Sequence, residues 1–236
     1  MEKLYIVIPS YNEADNIIDV VNEWYKVVEK IGKESRLVIF DGESKDGTGK
    51  IVKKMTAKMP QLILESRPKC GHGPTVIMAY QYAIDNKADY VFQTDADGQT
   101  LSSEFWQFWE NRKKHSAIIG HRNHRKDGLS RIVVTKTLKA LLLCIFGTNV
   151  TDANTPFRLM NIKLLKKYLT KMPKDFNLPN VMLTVMFLKN KESVKFIPIT
   201  FRPRQGGKNT INLKSITKIG LKATKDFRTM RKTLKV

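Results

Sequence analysis

Asp95 and Asp97 stand one residue apart, and Gly98 and Gln99 follow at once. Two carboxylates and an amide offer three oxygen donors to a hard cation. Mg²⁺ and Mn²⁺ favour such donors and complete their shells with water and a substrate phosphate. The same residues also make a turn, because aspartate and glycine are turn formers. Two other polar clusters follow apolar runs: Pro9-Ser10-Tyr11-Asn12-Glu13, and the stretch from Asp41 through Asp46, Gly47 and Thr48. Asp46 and Thr48 have the chemistry to cap a helix. Asp41 closes its apolar run, where a carboxylate can accept the ring N–H of a nucleobase or a ribose hydroxyl. Tyr11 can stack on a base, and Glu13 either binds ribose or favours the N-terminus of the next helix.

The elements that must position these clusters are short apolar runs alternating with helix-period segments. Residues 4–9, 36–41, 62–67, 89–95, 117–122 and 194–201 read as strands. Residues 14–31, 48–59, 74–86, 102–114, 130–146, 163–170, 179–189 and 213–232 read as helices. This alternation predicts an α/β fold, a mainly parallel sheet with helices on both faces. Ligands of such sheets sit beyond the carboxyl ends of the strands, so the three clusters are expected on one rim. No internal repeat or linker divides the chain. One domain over 1–209 is expected, with a nucleotide-binding half (1–120) and an acceptor half (121–209), followed by a helical segment at 210–236.

The chain has 236 residues, 42% of them hydrophobic, which excludes disorder and a scaffold dependent on staples. Its formal net charge is +20, which calls for an anionic partner: nucleic acid, an acidic membrane surface or a phosphorylated ligand. A nucleic-acid module ranks low, for no reading helix or aromatic stacking platform is recognisable. Cys70 and Cys144 are too few for a disulfide framework, and the N-terminus shows no signal-peptide pattern, so a reducing cytoplasm is the expectation. The longest apolar stretch, 138–146, is far short of the roughly 20 residues that span a bilayer.

The three clusters, in this order and spacing, resemble those of family-2 glycosyltransferases with a GT-A fold, and within that family the dolichyl- and polyprenyl-phosphate sugar synthases. Further matches are Gly120-His121-Arg122, the segment Asp152-Ala153-Asn154-Thr155-Pro156-Phe157-Arg158, and Ile197 to Phe201 followed by Arg204 to Lys208. The resemblance implies that Pro9, Tyr11, Glu13 and Asp41 cradle the nucleotide of a UDP- or GDP-sugar. It implies that Asp97 and Gln99 bind Mg²⁺ or Mn²⁺, with Asp95 beside the metal or the ribose, and that the sugar carbon is inverted by in-line attack. The pattern departs from the family at Gly42-Glu43-Ser44, where a second aspartate usually follows the first. Lys69 and His72 fall in an expected donor-side loop.

The acceptor decides the remaining chemistry. A sugar hydroxyl must lose a proton and wants a carboxylate base, whereas a lipid phosphate is already ionised and wants cations. Arg122, Arg125, Arg131, Arg158, Arg202, Arg204 and Lys208 all follow the aspartate pair, and arginine's planar fork suits phosphate. By the resemblance, Arg122, Arg131 and Thr135 contact the lipid phosphate, Arg158 belongs to the same acceptor side, and Arg204 lies near the donor diphosphate. Asp152 is either the base for a saccharide hydroxyl or the partner that orients Arg158. In the C-terminal segment Ile216, Ile219, Ala223, Phe227, Met230 and Leu234 share one helical face, with lysines opposite. Such a helix either lies on an anionic membrane, making the enzyme peripheral on the cytoplasmic face, or packs on the domain. Leu138, Leu141, Leu142, Ile145 and Phe146 form a second face suited to lipid, core or a homodimer contact.

Overall fold

The computed structural model describes residues 2–122, 129–204 and 213–234, with side chains described at 2–122, 136–204 and 222–232. Strand β1 (Leu4–Ser10) is buried along its whole length. It sends Leu4, Ile6 and Ile8 into one core and Tyr5 and Val7 into another, as the period-2 alternation of a strand covered on both faces requires. Strands β2 (Arg36–Asp41), β3 (Leu62–Ser66), β4 (Tyr90–Gln93), β5 (Ala117–Arg122), β6 (Arg158–Asn161) and β7 (Val194–Ile199) complete one seven-stranded sheet in the order β3-β2-β1-β4-β6-β5-β7. All pairings are parallel except those of β6 with β4 and β5. Strand β6 was not expected. It has only four residues, too few to show a period.

Helices α1 (Ile17–Ile31), α2 (Thr48–Thr56) and α4 (Phe105–Asn111) cover one face. Helices α3 (His72–Asp85), α5 (Leu129–Phe146), α6 (Ile162–Leu169), α7 (Pro179–Lys189) and α8 (Leu213–Leu234) cover the other. Helix α1 starts three residues later than its pattern predicts, because the N–H groups of Glu13 and Ala14 are held by the Thr48 hydroxyl and the Asp46 carboxylate. The helix expected over 102–114 is shorter, a single 3₁₀ turn at Ser102–Glu104 leading into α4.

The C-terminal helix packs on the domain rather than standing off it. Ala223, Phe227 and Met230 are buried in the α3–α7 core, and Phe227 meets Phe146 and Phe176 at ring-centroid distances of 6.0 and 6.3 Å. Ile216, Ile219 and Leu234 lie outside the described side chains. On α5, Leu142, Ile145 and Phe146 are core residues and Leu138 and Leu141 pack against them, so all five residues offered for lipid or dimer contact turn inward. Phe227→Ala removes a fully buried ring and is expected to cost about 3–5 kcal/mol of stability, read by urea denaturation. A loss below about 1 kcal/mol would show that α8 is only loosely docked.

Candidate active site

The strand order reverses between β1 and β4, since β2 and β3 extend to one side and β6, β5 and β7 to the other. A crevice opens at such a switch point beyond the carboxyl ends of the strands, and the Pro9–Glu13, Asp41–Thr48 and Asp95–Gln99 clusters all lie there. The first two are stitched together. Asn12 N–H donates to Ser44 Oγ (2.9 Å), Lys45 N–H to Asn12 Oδ1 (3.0 Å), Glu13 N–H to Thr48 Oγ1 (2.9 Å) and Ala14 N–H to Asp46 Oδ2 (2.9 Å). Asp46 and Thr48 thus chiefly tie two loops together. Asp46 Oδ1 also accepts the N–H of Thr48 (3.0 Å), the first residue of α2, as a cap does, across Gly47 in the left-handed region at φ 95°.

Pro9 is buried in β1 beside Phe40, and Tyr11 is partly exposed at the strand's exit. Lys69 Nζ stands 3.6 Å from the Tyr11 ring centroid, so a cation covers the ring. Gly42 makes room for this ring. A Cβ there would meet Tyr11 Cδ2 at 3.3 Å, so a larger residue would require the ring to shift by a few tenths of an ångström. Asp41 is buried, and its carboxylate accepts from both the hydroxyl and the N–H of Ser44. It shapes the β2–α2 loop from within.

Asp95 and Asp97 lie in the loop after β4, both partly exposed. Burial, partly offset by Arg122 and then reinforced by Glu13, holds Asp95 above the ordinary carboxylate range. Burial and then the charge of Asp95 do the same to Asp97. Crowded carboxylates that repel one another are the donor set a divalent cation relieves, so these residues fit Mg²⁺ or Mn²⁺. Gln99 is nearly buried. Its Nε2 donates to the Arg202 carbonyl (2.8 Å), and its own carbonyl accepts the Arg202 N–H (2.8 Å), leaving Oε1 as its oxygen donor for a cation. Arg202 also reaches the Gly98 carbonyl (3.0 Å), clipping the segment after β7 onto the aspartate loop.

That clip brings Arg204 to Glu13, its carboxylate partner 191 residues away, and Glu13 is further held by Asn16 Nδ2 (2.9 Å). His72, at the start of α3, is exposed but within electrostatic reach of Asp97. Gly73 beside it admits the backbone of Phe176 and Asn177, which a Cβ would meet at 2.4 Å.

On the acceptor side Asp152 pairs with Arg122, not Arg158. Nε and Nη2 of Arg122 reach the two carboxylate oxygens at 2.9 and 3.0 Å. Arg158 was expected to contact the acceptor, and the structure corrects this. Its side chain is fully buried and donates to the carbonyls of Ala153, Thr155 and Asn180 and to Thr184 Oγ1. Arg131 and Thr135 belong to α5, but their side chains lie outside the described residues, as do Arg125 and Lys208. The expected boundary at 209–210 falls outside them too. Cys70 and Cys144 are both free and exposed.

Sequence reasoning missed Gln93, Tyr80 and Asn180, and it named Arg202 only as a phosphate-suited arginine, not as the residue that clips the segment after β7 onto the aspartate loop. The signal for Gln93 was present, as a glutamine within the apolar run Tyr90-Val91-Phe92 of a central strand has to be buried and paired.

The glycosyl transferase family 2 profile matches residues 5–170 of the chain. A dolichyl-phosphate beta-glucosyltransferase of Trichomonas vaginalis is 28% identical over 171 residues, covering 65% of this chain and 50% of that protein. An undecaprenyl-phosphate 4-deoxy-4-formamido-L-arabinose transferase of Pectobacterium atrosepticum is 24% identical over 155 residues, covering 64% and 46%. The chain thus spans about half the length of these curated relatives. In fold it is similar to glucosyl-3-phosphoglycerate synthase of Mycobacterium tuberculosis, solved with Mn²⁺, UDP and glucosyl-3-phosphoglycerate. That structure superposes with a TM-score of 0.73 at 13% identity, over 97% of this chain and 80% of that one. A mainly parallel sheet with the expected strand-end clusters, one fold across the whole described chain and the match over 5–170 agree, and the chain belongs to glycosyl transferase family 2.

Proposed function

We propose that this glycosyltransferase moves a sugar from a UDP- or GDP-linked donor to a polyprenyl phosphate of the dolichyl type, with inversion at the sugar carbon. The observation that carries this reading is the set of opposed charges at the β1–β4 switch. Asp95, Asp97 and Glu13 stand against Arg204, with the Arg122–Asp152 pair on the acceptor side. Asp95, Asp97 and Gln99 Oε1 would hold Mg²⁺ or Mn²⁺, which when bound neutralises charge growing on the departing diphosphate.

The chain's own groups do the rest. Tyr11 would offer the base the ring face that Lys69 leaves open, with Pro9 and the Asp41-shaped loop beside it. Glu13 holds Arg204 toward the diphosphate, and Asp152 holds Arg122 toward the acceptor, where Arg131 and Thr135 on α5 would join it. A phosphate oxygen of the acceptor forms the bond to the sugar carbon as the bond to the diphosphate breaks. The acceptor is already ionised, so no proton has to move.

A saccharide hydroxyl acceptor with Asp152 as base is the competing reading. The two-pronged grip of Arg122 weighs against it, since both carboxylate oxygens already accept hydrogen bonds. Asp152→Asn is therefore expected to raise the acceptor KM while keeping kcat within about tenfold. A general base would lose on the order of 10²–10⁴ in kcat. The function itself is tested by incubating the protein with Mn²⁺ or Mg²⁺, a panel of UDP- and GDP-sugars and a polyprenyl phosphate. A lipid-linked sugar phosphate is expected. Transfer to saccharides alone would overturn the phosphate-acceptor reading.

Among the described residues no helix is long and apolar enough to cross a membrane. With Ala223, Phe227 and Met230 turned inward, α8 presents the exposed cations Lys222, Lys225, Arg228, Arg231 and Lys232. Association with the membrane that carries the acceptor would then be electrostatic rather than inserted, each cation near the surface contributing about 1 kcal/mol. Vesicles containing an anionic lipid should bind the protein at low salt and release it by about 0.5 M salt. Zwitterionic vesicles should not bind it. Salt-resistant binding would show that apolar insertion dominates.

A further inference from the structure

We propose that a buried, one-way chain of hydrogen bonds from Tyr80 through Asn180 and Gln93 aims the carboxylate of Asp95, which makes Gln93 and Asn180 positioning residues for transfer. The inference rests on the reading of Asp95 as part of the donor site. Gln93 is the last residue of β4 and is fully buried, and its Nε2 donates to Asp95 Oδ1 at 3.2 Å. A carboxamide can sit either way round, so something must choose. The Gln93 Oε1 accepts from Asn180 Nδ2 at 2.8 Å, with the Tyr80 hydroxyl oxygen 3.2 Å away. With the amide reversed, its oxygen would face the Asp95 carboxylate and its nitrogen would face the Asn180 donor, giving two repulsive contacts.

Asn180 is oriented in turn. The Tyr80 hydroxyl donates to its Oδ1 at 2.7 Å, which turns Nδ2 toward Gln93. The main chain of Asn180, at the start of α7, is anchored because its carbonyl accepts from Arg158 Nη1 (3.0 Å) and Thr184 Oγ1 (2.7 Å). Tyr80 begins the chain on α3, fully buried, and burial raises its pKa, so the hydroxyl stays a donor. Every bond therefore points its proton the same way, and the run ends on an anion. Two helices and one strand, with α7 far from the others in sequence, meet in it.

Burying three polar side chains is costly where apolar ones would pack, because each must be satisfied inside the core. A core of Val91 and Phe92 has no need of a glutamine next in line. What the glutamine adds is a fixed orientation for the first carboxylate beyond the strand.

The test measures binding of Mn²⁺ in the presence of UDP or GDP, by calorimetry and by the EPR signal of free Mn²⁺, with melting temperatures recorded alongside. The proteins are the unsubstituted chain, Gln93→Leu, Asn180→Leu and the double variant. A hydrogen bond to a charged group is expected to be worth about tenfold or more, so Gln93→Leu should weaken Mn²⁺ binding by about that factor. Asn180→Leu should weaken it several-fold, and the double variant no further than Gln93→Leu, because residues acting through one chain are not additive. Melting temperatures that fall while Mn²⁺ binding stays unchanged, or losses that multiply in the double variant, would overturn the relay. If the unsubstituted protein shows no Mn²⁺-dependent nucleotide binding, the donor-site reading falls first and the relay with it.

Discussion

Asp97→Asn is expected to lower transfer about a thousandfold while leaving the melting temperature unchanged or higher. Asp97 stands in a partly exposed loop, where its carboxylate accepts a local hydrogen bond from the Gln99 N–H (3.1 Å). It therefore contributes little to the core. Burial first, and then repulsion by Asp95, holds Asp97 above the ordinary carboxylate range. Removing the charge relieves the folded protein of this repulsion, which sets the sign of the stability effect. Removing the same charge takes away the oxygen that faces a cation and the departing diphosphate, and losses of this electrostatic kind run to several kcal/mol in the barrier. Steady-state rates and a thermal melt on the same preparation check both halves. A variant that melts well below the parent would show that Asp97 supports the fold, and one that keeps full turnover would remove it from the site.

The second large effect falls on stability. Arg158→Leu leaves the Thr155 carbonyl without its buried donor and takes one donor each from Ala153, Asn180 and Thr184. Thr184 Oγ1 remains close to the Ala153 and Asn180 carbonyls, so the loss is smaller than four orphaned groups would imply. About 3–5 kcal/mol is expected by urea denaturation, a large share of the 5–15 kcal/mol that holds a typical domain together. Arg158→Lys should not restore it, because an ammonium cannot spread its donors over the same fork. A variant of near-parental stability whose acceptor KM alone has risen would return Arg158 to the acceptor side.

These two residues illustrate what a sequence of this kind makes legible. The three strand-end clusters could be read because strands β1, β2 and β4 are apolar and stop abruptly at Asp, Gly and Pro, and parallel topology then forces their ends onto one rim. Asp97 belongs to that rim, so its position followed from pattern alone. Arg158 lies in a motif segment, yet nothing in its neighbours announces that three carbonyls will surround it. Those carbonyls come from the loop before β6 and the start of α7, and only the pairing of β6 between β4 and β5 brings them together. The same holds for Asp152, whose partner Arg122 sits 30 residues earlier at the end of β5. Helix α8 was ambiguous for a different reason. An amphipathic stripe states that one face must leave water, not whether protein or lipid receives it, and in this structure Phe146 and Phe176 receive Phe227.

On the proposed reading, the ends of β1, β2 and β4 hold a nucleotide diphosphate through a divalent cation on the aspartate loop. Crystals grown with Mn²⁺ and a bound nucleotide, measured for the anomalous signal of manganese, test it most directly. A single strong peak is expected at coordination distance from Asp97 and a diphosphate oxygen, with the base over Tyr11. A nucleotide seated in the same crevice with no metal near Asp95 or Asp97, or one bound elsewhere on the protein, would contradict it.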